Sequence, residues 1–213
     1  CVSTLQLDLP MVIFISEEWE ELVRQHRGDR PTHIIRVTAE DMYFWDRRED
    51  IEAATQKNIP PYDNQYLLML VCARYNYLRR AIELNIFQTD HFAWIDFSAG
   101  HIVDFPTKDR DKVRLFRSIL QTPYDKIRIA WIARYQKDTK TFKFNHNAMG
   151  GGIWGGHRTA ILNLIEKHNR LFMLLLDAGY VINDDRLLFL LFEKYPEMFE
   201  TYFSSYGNLL LKL

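Results

Sequence analysis

The chain has 213 residues, 47% of them hydrophobic and 14% aromatic, which is typical of a folded domain with an apolar core of its own. Its 27 Lys and Arg residues balance 28 Asp and Glu residues, which argues against a nucleic-acid-binding protein, since these usually carry a basic excess. Two cysteines exclude a disulfide framework and a cysteine-based zinc site, and no apolar run is long enough to cross a membrane.

The first half of the chain predicts strands that alternate with helices. The apolar run Met11–Ile15 predicts a buried strand, and Ser16 with the acids after it predicts a helix that ends near Gly28. The following elements are a strand at 33–37, a partly helical excursion at 41–63, a long buried helix at 66–84 and a strand at 91–97 that Gly100 breaks.

The second half predicts the same alternation. Its elements are a charged helix at 108–117, a strand at 127–135, an extended piece at 141–144, a glycine-rich loop at 150–156, helices at 158–179 and 184–194, and a tail from Met198 that forms a helix or an extended arm. Because uniformly apolar strands alternate with helices, the sequence predicts an α/β fold with a mostly parallel central sheet flanked by helices.

Asp96 is the first candidate for a chemical role. It interrupts an apolar run at the predicted carboxyl end of a strand, which is where open α/β sheets bind ligands. A carboxylate there suits a hard divalent cation whose other ligands are diphosphate oxygens. The alternative is an aspartate that only caps the junction between strand and loop.

The glycine-rich segment 150–156 is the second candidate. It matches neither a phosphate-binding loop nor a dinucleotide fingerprint. Its glycines allow close approach of a ligand to the backbone, and Trp154 in its centre suits a wall against which a flat polar ligand such as a sugar lies. The alternative is a flexible loop without a ligand.

The remaining candidates are acidic, histidine and arginine side chains. Asp184 is explained as the N-cap of the helix at 184–194, whereas Asp185 either complements the helix dipole or positions an acceptor hydroxyl as a general base. His157 is the histidine best placed for a ligand contact, followed by His101, and no histidine pair has zinc-binding spacing. Arg74 on the long helix is a candidate for phosphate binding.

Several segments together resemble a known family. They are LPMVIFIS at 9–16, PTHII at 31–35, the helix at 66–82, NIFQTDHFAWIDF at 85–97, GGGIWGG at 150–156, NDDR at 183–186 and the aromatic segment from 195 to 206. In this order they resemble the HtrL/YibB (WlaTC-like) group of glycosyltransferases and, more broadly, GT-A enzymes that use nucleotide-diphosphate sugars. The similarity extends over almost the whole chain.

The resemblance implies a single GT-A-like, Rossmann-like domain over residues 1–213. It implies that Asp96 is the ligand of Mn²⁺ or Mg²⁺, with Ser98 standing where GT-A enzymes carry a second acid, and that Asp185 is the catalytic residue near the acceptor. The nucleotide and sugar contacts that it implies are Arg74, Trp94, Ser98, Gly151, Gly152, Trp154, Gly155 and His157.

The implied reaction is transfer of a sugar from a nucleotide-diphosphate donor, a UDP-sugar first of all, to the hydroxyl group of a glycan or other acceptor. Such an enzyme of glycan biosynthesis works in the cytoplasm or as the lumenal part of a membrane-tethered protein. The family has an N-terminal strand that lines the nucleotide pocket. Nothing before residue 9 can form this strand, and the chain starts at Cys1 rather than Met, so we expect that a first segment is missing.

Two alternatives remain open at the level of sequence. The first is a non-catalytic sugar- or protein-binding module on the same fold, because the serine at position 98 is a change that could silence a metal site. The second is a nucleotidyltransferase. That class would require a glycine-rich loop with Lys or Arg near the N-terminus, and the sequence shows none.

Overall fold

The computed structural model describes residues 2–58, 65–101, 124–131 and 149–203. The helices in these ranges are α1 (Val2–Leu5), α2 (Glu20–Arg27), α3 (Arg48–Asn58), α4 (Gln65–Leu84), α5 (Arg158–Asp177) and α6 (Asp184–Lys194). The strands are β1 (Met11–Ile15), β2 (Thr32–Arg36), β3 (His91–Ile95), β4 (Ile127–Trp131), β5 (Met149–His157) and β6 (Phe199–Phe203). None of these helices combines the length and the apolar character needed to cross a bilayer.

The described strands form two sheets. β1 and β2 pair in parallel, and a four-stranded sheet has the order β3-β5-β4-β6. In the larger sheet β5 is antiparallel to both β3 and β4, whereas β4 and β6 are parallel. The predicted α/β class is therefore confirmed, but a mostly parallel arrangement is wrong for this sheet, because β5 lies between β3 and β4 in the opposite direction.

β5 is the segment that the sequence predicts to be a glycine-rich loop, and that prediction is wrong. It is a nine-residue strand with hydrogen-bonded neighbours on both sides. A Cβ atom on Gly155 would lie 2.6 Å from the carbonyl oxygen of Phe92, and one on Gly156 would lie 2.6 Å from that of Lys126. The glycines therefore allow close packing of backbones within the sheet rather than loop flexibility.

A buried apolar cluster covers the larger sheet and includes residues of α4, α5 and α6. Trp154 of β5 has no exposed surface and lies in this cluster. The ring of Tyr75 stacks on that of Trp154 at 5.4 Å between centroids and on that of His168 at 3.7 Å. The three rings join β5 to α4 and α5 in the core.

Arg27 fixes the segment that precedes β1. It is 1% exposed, and its guanidinium donates to the carbonyl oxygens of Leu5, Leu7, Leu9 and Pro31 and to Oγ1 of Thr32. All five of its N–H groups thus have an acceptor, which is why the side chain can be buried. Burial lowers the pKa of Arg27 to about 10.

The segment that Arg27 holds also contacts the turn that follows β3. Oγ1 of Thr4, on α1, donates to the carbonyl oxygen of Phe97 at 3.0 Å. A short 3-10 helix, Phe97–His101, continues from there. The N-terminal residues therefore link the β1–β2 unit to the chain directly after Asp96.

Most predicted helices are confirmed. Gly28, with a φ of 55°, directly follows α2, and Gly179, with a φ of 78°, comes shortly after α5. Residues 66–84 and 184–194 are helical, the excursion is partly helical, and the tail forms β6 over 199–203. Ser16 makes no side-chain capping bond, and a 3-10 turn precedes α2. The helix predicted at 108–117, the extended piece at 141–144 and the end of the strand predicted at 127–135 lie outside the described residues.

Candidate functional site

Three aspartates from distant parts of the sequence come together around Arg74. Asp96 directly follows β3, and Asp184 and Asp185 open α6. Each lies within hydrogen-bond or ion-pair distance either of Arg74 of α4 or of Gly151 of β5. Asp96, Arg74, Gly151 and Asp185, which the resemblance implies for one site, therefore lie together in the structure.

Arg74 is the centre of this acid–arginine cluster. Its Nη1 donates to the carbonyl oxygen of Gly151 at 2.7 Å and lies 3.3 and 3.4 Å from the carboxylate oxygens of Asp96. Its Nη2 lies 2.9 Å from Oδ2 of Asp184, and its Nε donates to the carbonyl oxygen of Val71. The side chain is only 6% exposed, and the guanidinium contacts other groups of the protein. Its predicted role in phosphate binding therefore has little support from this geometry.

Asp96 is a partly exposed acid of the cluster. Its side chain is 31% exposed, compared with 5% for the side chain of Asp184. The indole Nε1 of Trp94 donates to Oδ1 of Asp96 at 2.6 Å, and the backbone N–H of Asp96 donates to the carbonyl oxygen of Gly152 at 2.8 Å. The carboxylate of Asp96 is therefore partly exposed, as is Asp185, whereas Asp184 is buried.

The N-terminus of α6 shows why both of its acids are free for other contacts. Asn183 is the N-cap, and its side-chain oxygen accepts from the backbone N–H of Arg186 at 3.2 Å. The prediction that Asp184 is the N-cap is therefore wrong. Asp184 pairs with Arg74, and Oδ1 of Asp185 accepts from the backbone N–H of Gly151 at 3.2 Å.

The pKa values of the two neighbouring acids are shifted by different surroundings. Burial raises the pKa of both, and at Asp184 the attraction of Arg74 opposes that rise. Burial and the adjacent Asp184 raise the pKa of Asp185 to about 8. Burial alone would lower the pKa of Arg74, but Asp184 and Asp96 outweigh it and raise that pKa. Arg74 thus favours the charged form of Asp184, whereas burial and the charge of Asp184 favour the protonated form of Asp185.

The glycines of β5 leave room for these carboxyl groups. A Cβ atom on Gly151 would overlap Oδ1 of Asp185 and lie 3.1 Å from Oδ2 of Asp184, and one on Gly152 would lie 3.1 Å from Oδ2 of Asp96. The acids therefore rest against bare backbone. Glycine thus permits close approach of the protein's own side chains here, whereas the predicted approach of a ligand stays a prediction.

The fit of a divalent cation depends on Asp96. Within the described residues no three His, Cys, Asp or Glu side chains are arranged to hold a metal ion. Asp184 is paired with Arg74, and Asp185 is bonded to Gly151 and has a raised pKa. Asp96 presents a partly exposed carboxylate, which matches the way in which Mg²⁺ uses one or two carboxylates and completes its shell with phosphate oxygens and water.

The other predicted contact residues lie elsewhere or are enclosed. Trp154 is fully buried in the core, so its indole offers no surface to a sugar. His157 caps α5, where its Nδ1 accepts from the backbone N–H of Thr159 at 3.3 Å. It stands six residues after Gly151 on β5, roughly 20 Å away at the usual rise per residue. Gly155 packs against β3, and Ser98 is exposed in the turn after Asp96.

Asp184 is the member of the cluster that sequence reasoning missed. A helix start with the order Asn-Asp-Asp contains two possible caps, and the choice of Asn183 as the cap frees both acids. The signal was therefore present in the sequence. It was not decisive, because aspartate and asparagine are almost equally good N-caps.

These features define a mixed α/β protein with an acid–arginine cluster in which Arg74 and Asp184 are buried and Asp96 is partly exposed. A family model described as "Bacterial protein of unknown function (HtrL_YibB)" matches residues 2–209. The chain therefore belongs to the HtrL_YibB family, which confirms the family part of the resemblance. No curated protein and no solved structure matches the chain. The glycosyltransferase part of the resemblance stays a prediction.

Proposed function

We propose that this protein is a glycosyltransferase that moves a sugar from a nucleotide-diphosphate donor, a UDP-sugar first of all, to a hydroxyl acceptor with the help of Mn²⁺ or Mg²⁺. The proposal rests on one observation: Asp96, Asp184 and Asp185 lie close together around Arg74, next to the backbone of Gly151 and Gly152. A partly exposed carboxylate next to a carboxyl group of raised pKa is an arrangement suited to binding a charged donor and, once the second group is deprotonated, accepting the proton of the acceptor.

The proposed role of Asp96 is to bind the cation that the donor brings. A bound cation supplies Lewis-acid stabilisation of the negative charge that develops on the leaving diphosphate. The protein's own contribution is to hold the carboxylate at the edge of the site, through the hydrogen bond from Trp94 and the charge of Arg74. Ser98, two residues later, is exposed in the adjoining turn and adds no second carboxylate.

The proposed role of Asp185 is that of the base in an inverting transfer. The bond between the anomeric carbon and the phosphate oxygen breaks, the bond to the acceptor oxygen forms, and the proton of the acceptor hydroxyl moves to Asp185. A carboxyl group with a pKa of about 8 is a stronger base than an ordinary aspartate and still titrates near physiological pH. The reaction rate should therefore rise with pH through this range.

One observation favours a second candidate, a non-catalytic sugar- or protein-binding module. Arg74 already pairs with Asp184 and Asp96, so the positive charge that a catalytic cation would provide is partly supplied by the protein. In such a module the cluster would stabilise the fold and present polar groups to a ligand. Hydrolysis of nucleotide sugars separates the two candidates, because a binding module should show none.

The decisive experiment is calorimetric titration of UDP, GDP and CMP with and without Mn²⁺. We expect one nucleotide to bind only with the metal, and Asp96→Ala to abolish that binding. The matched control is Asp90→Ala, which removes a 66% exposed acid just before β3 and should bind like the wild type. If the folded wild type binds no nucleotide under any condition, the transferase proposal is wrong.

A further inference from the structure

The hydrogen bond between Trp94 and Asp96 determines how the accessible carboxylate is oriented. The two residues are two positions apart at the end of β3, so their side chains leave the strand on the same face. Nε1 of Trp94 donates to Oδ1 of Asp96 at 2.6 Å, whereas the closest approach of Arg74 to this carboxylate is 3.3 Å. The indole therefore makes the shortest side-chain contact to the carboxylate.

The ring of Trp94 is also engaged on its apolar side. It is partly buried and packs against the core cluster, and its cross-strand neighbour in the sheet is Trp154. An indole that packs against the core and donates its single N–H to a carboxylate is held at two points. This arrangement fits a residue that orients a neighbour better than one that accommodates a flat ligand.

We propose that Trp94 is a positioning residue that acts through Asp96, and not a stacking surface for the nucleotide. The indole donates to Oδ1 at 2.6 Å, whereas Oδ2 lies beside the bare backbone of Gly152 and has only the longer 3.3 Å contact with Arg74, so we assign the ligand contact to Oδ2. In this proposal a ligand contacts Asp96 through Oδ2 alone. This inference deepens the proposed function and rests on it, because Asp96 is taken as the group that binds the donor's cation.

Trp94→Phe tests the inference, since phenylalanine keeps an aromatic face and removes the N–H donor. A hydrogen bond to a charged group contributes enough that we expect Mn²⁺-dependent nucleotide binding to weaken about tenfold. Trp19→Phe is the matched control, because Trp19 is 52% exposed and lies in a turn before α2, so its binding should equal that of the wild type. Undiminished binding by Trp94→Phe would overturn the inference, because it is the result expected of a stacking surface.

A second measurement does not depend on the nucleotide. In ¹H–¹⁵N spectra of the full chain, the indole N–H of Trp94, assigned with Trp94→Phe, should lie at unusually low field because of the short bond to Asp96. Asp96→Ala should move this resonance upfield and leave that of Trp19 in place. A Trp94 resonance that does not respond to Asp96→Ala would contradict the positioning role. If the wild type binds no nucleotide, the proposed function fails, and this spectrum alone decides whether Trp94 orients Asp96.

Discussion

His168 allows a quantitative test of the fold that is independent of function. It is fully buried in α5, where its ring stacks on Tyr75 at 3.7 Å and its Nδ1 lies 3.3 Å from Oδ1 of Asn169. Burial is the largest cause that lowers the pKa of His168, from 6.5 to about 3, and the charge of Arg74 contributes in the same direction. The folded protein therefore keeps this imidazole neutral over a range of pH in which the unfolded chain protonates it.

The sign of the effect follows from proton linkage. Between about pH 6.5 and pH 3 the unfolded state binds one more proton at this position, so stability is lost as the pH falls below 6.5. At pH 5 the loss amounts to about 2 kcal/mol, from roughly 1.4 kcal/mol for each pH unit below the unfolded pKa. Asp185 contributes in the opposite direction, because its raised pKa makes the folded state gain stability as the pH falls.

The assay is urea unfolding at pH 7.5 and pH 5.0 of the wild type and of His168→Phe, which keeps an aromatic ring on Tyr75. The contribution of Asp185 is common to both proteins and cancels in the comparison. We expect the wild type to lose about 2 kcal/mol more than the variant between the two pH values. His26→Gln, at a partly exposed position in α2, should follow the wild type. An equal pH dependence for wild type and His168→Phe would refute the assignment of a buried neutral imidazole.

Three further predictions concern single side chains. Arg27→Lys should lower the free energy of unfolding in urea by about 2–4 kcal/mol, because one ammonium group cannot donate to all five acceptors of the guanidinium. Arg24→Lys, at an exposed ion pair, is the control and should have little effect. Gly151→Ala should cost about 1–3 kcal/mol, since its Cβ would overlap the carboxyl group of Asp185. Gly152→Ala should cost less, because its Cβ would lie 3.1 Å from Oδ2 of Asp96 without overlapping it, and equal losses would contradict this geometry. Asp185→Asn should become more stable relative to the wild type as the pH rises from 5 to 8, because the raised pKa of Asp185 means that its surroundings disfavour the carboxylate. Thermal unfolding of both proteins over this pH range measures the effect.

The sequence predicted the helices of this fold better than its sheet. Apolar periodicity along 66–84 and 158–179 is a local signal, and the structure has helices there. The segment 149–157 carries the opposite local signal, since glycines favour loops, and it becomes a strand only because β3 and β4 pair with it on either side. Pairing between distant segments is not encoded in any one window of sequence.

The difference between local signals and long-range pairing also explains which residues of the candidate site could be predicted from the sequence. Asp96 and Asp185 could be singled out because an acid at a strand end and a second acid at a helix start are local anomalies. The pairing of Arg74 with Asp184 could not be predicted in this way, since it depends on how α4 and α6 pack against each other. Trp154 was misassigned for the same reason, because a tryptophan among glycines indicates a ligand wall only if the segment is a loop.

The bare backbone of β5 restricts how this site can vary during evolution. A Cβ atom at Gly151 would overlap a carboxyl oxygen and one at Gly152 would lie 3.1 Å from another, so this part of the site tolerates few substitutions. New specificity must then arise in the surrounding elements, such as the turn after β3 and the start of α6. Family members with different ligands should therefore diverge in those elements while this strand stays the same.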